Sequence, residues 1–287
     1  MKKLSLILLF FLSTLTYAQE NTLKTLAHLP EHLQEISGIE ILEGSPLIWA
    51  INDSGNSSVV YGFTTDGEIV KEVEIEDVHN IDWEDLAIDK KGTLYIGDFG
   101  NNESDREDLA IYIVKDFLDQ GEKAQAEKIE FSFEDQENFP AKKDNRNFGS
   151  EAFIYKDGNL YLFTKNRSKK PDGTVNLYQI PAKTGKYKAK KIGSYQTCDS
   201  GSHECWITAA SISEDEKSIV LLSEKYVWKL TNFTTNNFFN GKITQYELPG
   251  KSTQKESICF KDKNTVYIAD EQESKKKGRN LYEFSLK

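Results

Sequence analysis

Apolar and polar positions alternate in short bursts along this chain, and one phrase recurs five times. A polar residue opens it, an apolar run follows, a polar turn interrupts, and a second apolar run ends on another polar residue. The phrases run from Glu35 to Asp53, Glu84 to Asp98, Glu151 to Lys165, Thr208 to Glu224 and Glu256 to Asp270. Each reads as strand, tight turn and strand, because clusters such as Lys90-Lys-Gly-Thr93 and Lys156-Asp-Gly-Asn159 punctuate β-branched and aromatic runs. The second strands (Leu94-Tyr-Ile-Gly97, Leu160-Tyr-Leu-Phe163, Val266-Tyr-Ile-Ala269) are apolar throughout, as strands covered on both faces are. A third strand in each unit carries an aromatic (Tyr61, Tyr112, Tyr178, Trp228, Tyr282), and a more charged fourth, such as Val70–Ile75, suits a half-exposed edge.

A unit of this kind, repeated every roughly 45 to 70 residues, predicts an all-β fold. The expected architecture is a five-bladed β-propeller of four-stranded antiparallel blades. The fifth unit ends after its third strand, Leu281–Leu286, so Leu23–Leu29 is expected to supply the missing edge and close the ring. A six-bladed ring is the alternative if residues 115–150 hold a degenerate unit, but only Lys128–Phe133 there reads as a strand.

This architecture places the chemistry on one face. The loops after each second strand and the connections between blades lie on the same side, and they are the long, polar ones: Phe99–Arg106, Asn166–Gly173 and Glu271–Arg279. Long polar loops on a rigid scaffold are where binding resides. Inner strands line the channel, so Glu35, Glu84, Glu151 and Glu256 are expected to ring its mouth, with Thr208 in the fourth blade. Behind them stand Asn52, Asp53, Asp98, Lys165, Glu224, Asp270 and Glu271, with Asn101, Arg106, Arg146 and Asn166 on the loops. Carboxylates gathered this way repel, so a cation, raised pKa values or neighbouring donors must relieve them. All-oxygen donors without His or Cys favour Ca²⁺ over Zn²⁺, with Glu35, Glu84, Glu151, Glu256 and Asp270 as candidate ligands. The same residues could instead only fasten blade to blade. Trp83, inside Asp82-Trp-Glu-Asp85, is either an aromatic platform beside the mouth or a wedge between blades.

Charge narrows the partners. The formal net charge is −10, and Lys2 and Lys3 belong to a leader, with the apolar run Leu4–Leu12 and small residues up to Ala18. A secretory signal peptide cleaved near Ala18 is expected, leaving one domain over residues 19–287 at −12, secreted or periplasmic. Such acidity argues against nucleic acid. No later stretch is apolar enough to span a membrane, and a monomer is expected. Cys198 and Cys205 flank a short polar loop and are expected to form a disulfide in an oxidising compartment. A zinc site with His203 is the rival, without a fourth ligand nearby. Cys259 falls in an apolar strand, as a free core thiol does.

At Leu47–Asn56, Ile81–Ala87 and Leu94–Asn102 the chain resembles a family of exported bacterial β-propeller proteins, and the likeness extends through Gly149–Phe153, Leu162–Asn166 and Gln254–Ile258. More distantly it is similar to calcium-dependent lactonase and esterase propellers and to phytase-like propellers. That likeness implies a metal at the channel mouth held by Glu35 or Glu84, Asn52, Asn166 and Asp270. Two departures stand: those enzymes have six blades, and their ring is richer in Asn and poorer in Glu. Three readings follow. The first is a binding protein holding calcium and presenting its loop face to a small molecule or protein. The second is a metal-assisted hydrolase of a lactone, ester or phosphate. The third is a structural or protein-interaction propeller.

Overall fold

Strands form wherever the alternating segments lie. The protein is seen here as a computed structural model that describes residues 22–199 and 202–287, so the leader lies outside the described residues. The first unit is Ile36–Ile41, Ile48–Asn52, Val59–Phe63 and Ile69–Ile75, and the second is Trp83–Ile88, Leu94–Asp98, Ala110–Val114 and Glu127–Phe133. The third is Gly149–Lys156, Asn159–Lys165, Thr174–Pro181 and Gly185–Gln196. Ala209–Ile212, Ser218–Leu222, Tyr226–Thr231 and Lys242–Glu247 form the fourth. The fifth comprises Lys255–Asp262, Thr265–Asp270 and Asn280–Ser285, and its outer position is taken by Leu23–His28. That strand pairs antiparallel with Asn280–Ser285, Leu23 opposite Phe284 and His28 opposite Asn280.

These strands hydrogen-bond into four sheets of four, eight, four and five strands, not into separate four-stranded units. The eight-stranded sheet arises because Gly185–Gln196 is 12 residues long and serves two neighbours. Lys190–Gln196 pairs with its own unit, while Gly185–Ala189 runs parallel to Ile129–Phe133 of the second. Lys186 and Glu130 face each other across that edge at 2.6 Å. The short strand Lys123–Ala124 extends the first unit in the same parallel sense.

The core lies between units. Five apolar clusters each draw on two neighbours: Trp49 and Ile51 meet Trp83 and Leu86, Phe99 and Ile111 meet Phe153 and Leu162, and Ala152 and Tyr161 meet Ala210 and Trp228. Ala209 and Val220 pack on Ile258 and Ile268, and Ile39 and Ala50 on Cys259 and Ala269. The inner strands touch in a closed circle. Each large buried apolar side chain contributes about 1.5–3 kcal/mol, so the ring is held mainly by these five seams.

Asp85 fastens three of the inner strands to one another. Its carboxyl, fully buried, accepts from Leu86 N at 2.9 Å on its own strand, Phe153 N at 3.1 Å on the third unit and Ala210 N at 3.3 Å on the fourth. The inner strands approach so closely that a Cβ on Gly38 would stand 2.8 Å from Asp85 Cα.

Candidate cation and ligand site at the channel mouth

Four inner strands slip register by one residue where they enter the channel. The slip falls between Ile36 and Gly38, Trp83 and Asp85, Ser150 and Ala152, and Lys255 and Ser257. A bulge leaves one residue unopposed and re-aims its side chain. The unopposed residues are Ser37, Glu84, Glu151 and Glu256. Three of the expected glutamates are thus the bulged residues, and the first unit offers Ser37 in that position, its hydroxyl donating to Glu84 O. Glu35 stands two residues earlier, exposed, its Oε2 accepting from Asn56 Nδ2 at 2.6 Å.

Glu84 joins two residues from connecting segments. One oxygen each from Asp53, Asp82 and Glu84 falls within 4.8 Å of the others. Asp53 and Asp82 stand close enough that ionisation of one disfavours ionisation of the other, and a single proton can serve both. Burial and the neighbouring Asp53 push Asp82 up to about 7. Burial, then Glu151, Asp53 and Asp82, hold Glu84 well above the carboxylate range, against the pull of Lys165. Gly100 permits this gathering: a Cβ there would lie 2.2 Å from Asp82 Cγ and 2.3 Å from Glu84 Oε1.

Lys165 answers part of the charge. Its Nζ donates to Glu151 Oε2 at 2.8 Å, with both residues buried, while Arg167 reaches Glu151 Oε1 only at 3.8 Å. Among the described residues, Glu151 Oε1 is buried without a hydrogen-bond partner, as is Asn52 Oδ1. Lys165 and Arg167 also lie over the Trp206 ring, at 5.8 and 5.1 Å, and His203 stacks on that ring at 4.1 Å. Trp206 follows the Cys198–Cys205 disulfide, which forms as expected. On the far side, burial pushes Glu256 up to about 8, opposed by Lys165 and reinforced by Glu151. Burial and Glu256 push Glu271 up to about 9.

Other candidates are engaged in the framework. Asp98 is fully buried and binds Arg106 Nη2 at 3.0 Å, and Arg106 also donates to Gly100 O at 2.9 Å and Asp108 Oδ1 at 3.0 Å. Asn101 Oδ1 accepts from Asp105 N and Arg106 N, and Asn166 bridges Asp172 and Ser168, so both fix their own loops. Asp270 spends both oxygens on Asn280 N at 2.7 Å and Tyr282 OH at 2.8 Å. Glu224 accepts from Ser252, and Arg146 pairs with Glu103. Trp83 is fully buried against Tyr112 in the seam between the first and second units, a wedge and not a platform. Asp82, Arg167 and Trp206 were not among the expected site residues. Asp82 and Trp206 immediately precede an inner strand or its approach, a position that marks this face.

The residues present suit a hard cation. Asp53, Asp82 and Glu84 converge as oxygen donors, and the orphaned oxygens of Glu151 and Asn52 show unused acceptor capacity nearby. No described helix is long and apolar enough to cross a membrane.

No curated protein matches the chain. Among solved structures it is similar to a catalytically inactive virginiamycin B lyase from Staphylococcus aureus with quinupristin, at 15% identity and a TM-score of 0.41. That alignment covers 90% of this chain and 69% of the lyase. The SdiA-regulated family matches over residues 13–274, and the chain belongs to that family.

Proposed function

We propose that the chain is an exported five-bladed β-propeller binding protein that holds calcium at the channel mouth and presents its loop face to a ligand. The five seams between units and the Leu23–His28 edge strand support the blade count. One observation carries the cation: three carboxylates meet within 4.8 Å beside a buried Glu151 oxygen that has no donor. Asp53, Asp82 and Glu84 would hold the ion, and it would supply positive charge to an otherwise repulsive cluster. Lys165 and Arg167, stationed on Trp206, would receive an anionic group of the ligand.

The same two cations favour a second reading, a hydrolase of an ester, lactone or phosphate. There the metal would polarise the scissile oxygen, and Glu84 or Glu151 would manage the proton.

Thermal unfolding of residues 19–287, as purified, after EDTA and after Ca²⁺ readdition, tests the proposal. The expected result is a fall with EDTA that Ca²⁺ reverses. At a hundredfold excess over Kd the recovery is about 2.7 kcal/mol. Absence of any shift, with no metal by elemental analysis, would leave the carboxylates as scaffolding. Turnover lost in Glu84→Gln with folding intact would select the hydrolase.

A further inference from the structure

The opposite end of the channel, where the first two strands of each unit turn, holds a second hollow. Its volume is about 460 Å³, within the range of small-molecule sites. Every inner strand sends one half-buried apolar side chain to its wall: Ile41, Ile88, Tyr155, Ile212 and Phe260. The collar is therefore apolar all round, with two aromatic rings in it.

Glu40 lines the same hollow and is only 6% exposed. Its Oε1 accepts from Ser211 Oγ at 3.1 Å and its Oε2 from Ile41 N at 3.0 Å, so each oxygen keeps a second lone pair. No basic side chain is hydrogen-bonded or ion-paired to it among the described residues. Around the rim acids outnumber lysines, and two of those lysines, Lys90 and Lys261, are already held by Glu216 and Glu283.

We propose that this hollow is a second binding site, for a small organic cation whose ammonium head meets Glu40 and whose apolar body fills the collar. Each part of the wall selects for that class. An anion is repelled by the rim. A bare metal ion gains nothing from the collar's apolar wall, and Glu40 is the carboxylate buried beneath it. A cation on an apolar body gains the buried carboxylate, the collar's area and the faces of Tyr155 and Phe260 together.

Isothermal titration calorimetry at pH 9 tests this, with 2-phenylethylammonium as the probe, 2-phenylethanol as the uncharged counterpart and phenylacetate as the anion. At that pH Glu40, pushed up to about 8 by burial, is ionised and an alkylammonium keeps its proton. The expected result is saturable amine binding, at least about tenfold tighter than the alcohol, the size of one hydrogen bond to a charged group. Phenylacetate does not bind. Glu40→Gln brings the amine down to the alcohol's affinity, and Ile212→Lys, which puts a cation in the collar, abolishes both. Ile212 is half-exposed at a strand end, so that variant decides the matter even if Glu40→Gln fails to fold. Equal affinity for amine and alcohol, amine binding that survives Ile212→Lys, or no binding at millimolar probe would each overturn the proposal. So would amine binding abolished by EDTA, since that would tie it to the carboxylate cluster at the other mouth.

Discussion

The two ends of one channel are built to opposite specifications from the same five strands. At the loop end, bulges turn Glu84, Glu151 and Glu256 inward, and Asp53 and Asp82 arrive from connecting segments. At the turn end an apolar collar closes over a buried acid, Glu40, and one inner strand slips register there, between Phe260 and Asp262. The loop end gathers its charges through register slips in four inner strands, whereas only one inner strand slips at the turn end. Function at the first therefore depends chiefly on local backbone distortion, and at the second chiefly on side-chain identity. Asp85, on the same strands, ties the second, third and fourth units together and so bears on both ends.

The largest effect is expected from Asp85→Ala. Removing the carboxyl leaves the Phe153 and Ala210 N–H groups buried and unpaired, at a cost of about 3–5 kcal/mol. Denaturant unfolding should register it, and both mouths should lose their ligands together. A stable Asp85→Ala protein with either mouth intact would show that the seams alone position the strands.

Gly100→Ala is expected to act on one end only. Its Cβ would collide with Asp82 and Glu84, costing about 1–3 kcal/mol and removing calcium-dependent stabilisation. Amine binding at the far end should be unaltered in calorimetry.

The smallest and most discriminating effect is on pH. Asp82, Glu256 and Glu271 are pushed to about 7, 8 and 9, and Glu40 to about 8, all chiefly by burial. Unfolded, they ionise near pH 4. The folded state therefore keeps protons that the unfolded chain releases. This stability is full below pH 4 and is lost as pH climbs through 7 to 9. Calcium should flatten the loop-end share of that slope, because the ion replaces the protons. Glu40→Gln should remove a share that calcium leaves untouched. Melting curves across pH 5–9, with and without Ca²⁺, separate the two.

Much of this was legible in the residues. Alternation marked the strands, the truncated fifth unit called for Leu23–His28, and the Cys198–Cys205 spacing in a polar loop marked the disulfide. What stayed hidden depended on register. Glu35 aligns with Glu84 by its apolar neighbours, yet the bulge gives that place to Ser37, because a one-residue slip exchanges the faces a strand presents. Trp83 and Glu84 adjoin in sequence but part at the bulge, one into the seam and the other into the mouth. The turn-end collar escaped notice because its members are ordinary strand residues, each unremarkable until five strand ends meet. The long shared strand Gly185–Gln196 reads locally as one edge and serves two only through its neighbour's position.

The pairing of Leu23–His28 with Asn280–Ser285 has a consequence for assembly. The last seam cannot form until segments more than 250 residues apart have met, so ring closure is the entropically slowest contact and comes late. Until then the fifth unit presents a bare edge to any other chain. The same pairing brings the first and last described strands side by side in one unit. Linking Asn280–Ser285 directly to Leu23–His28 and opening the chain between units would exchange this long-range clip for a local hairpin, giving a permuted protein with the same ring and a faster route to it.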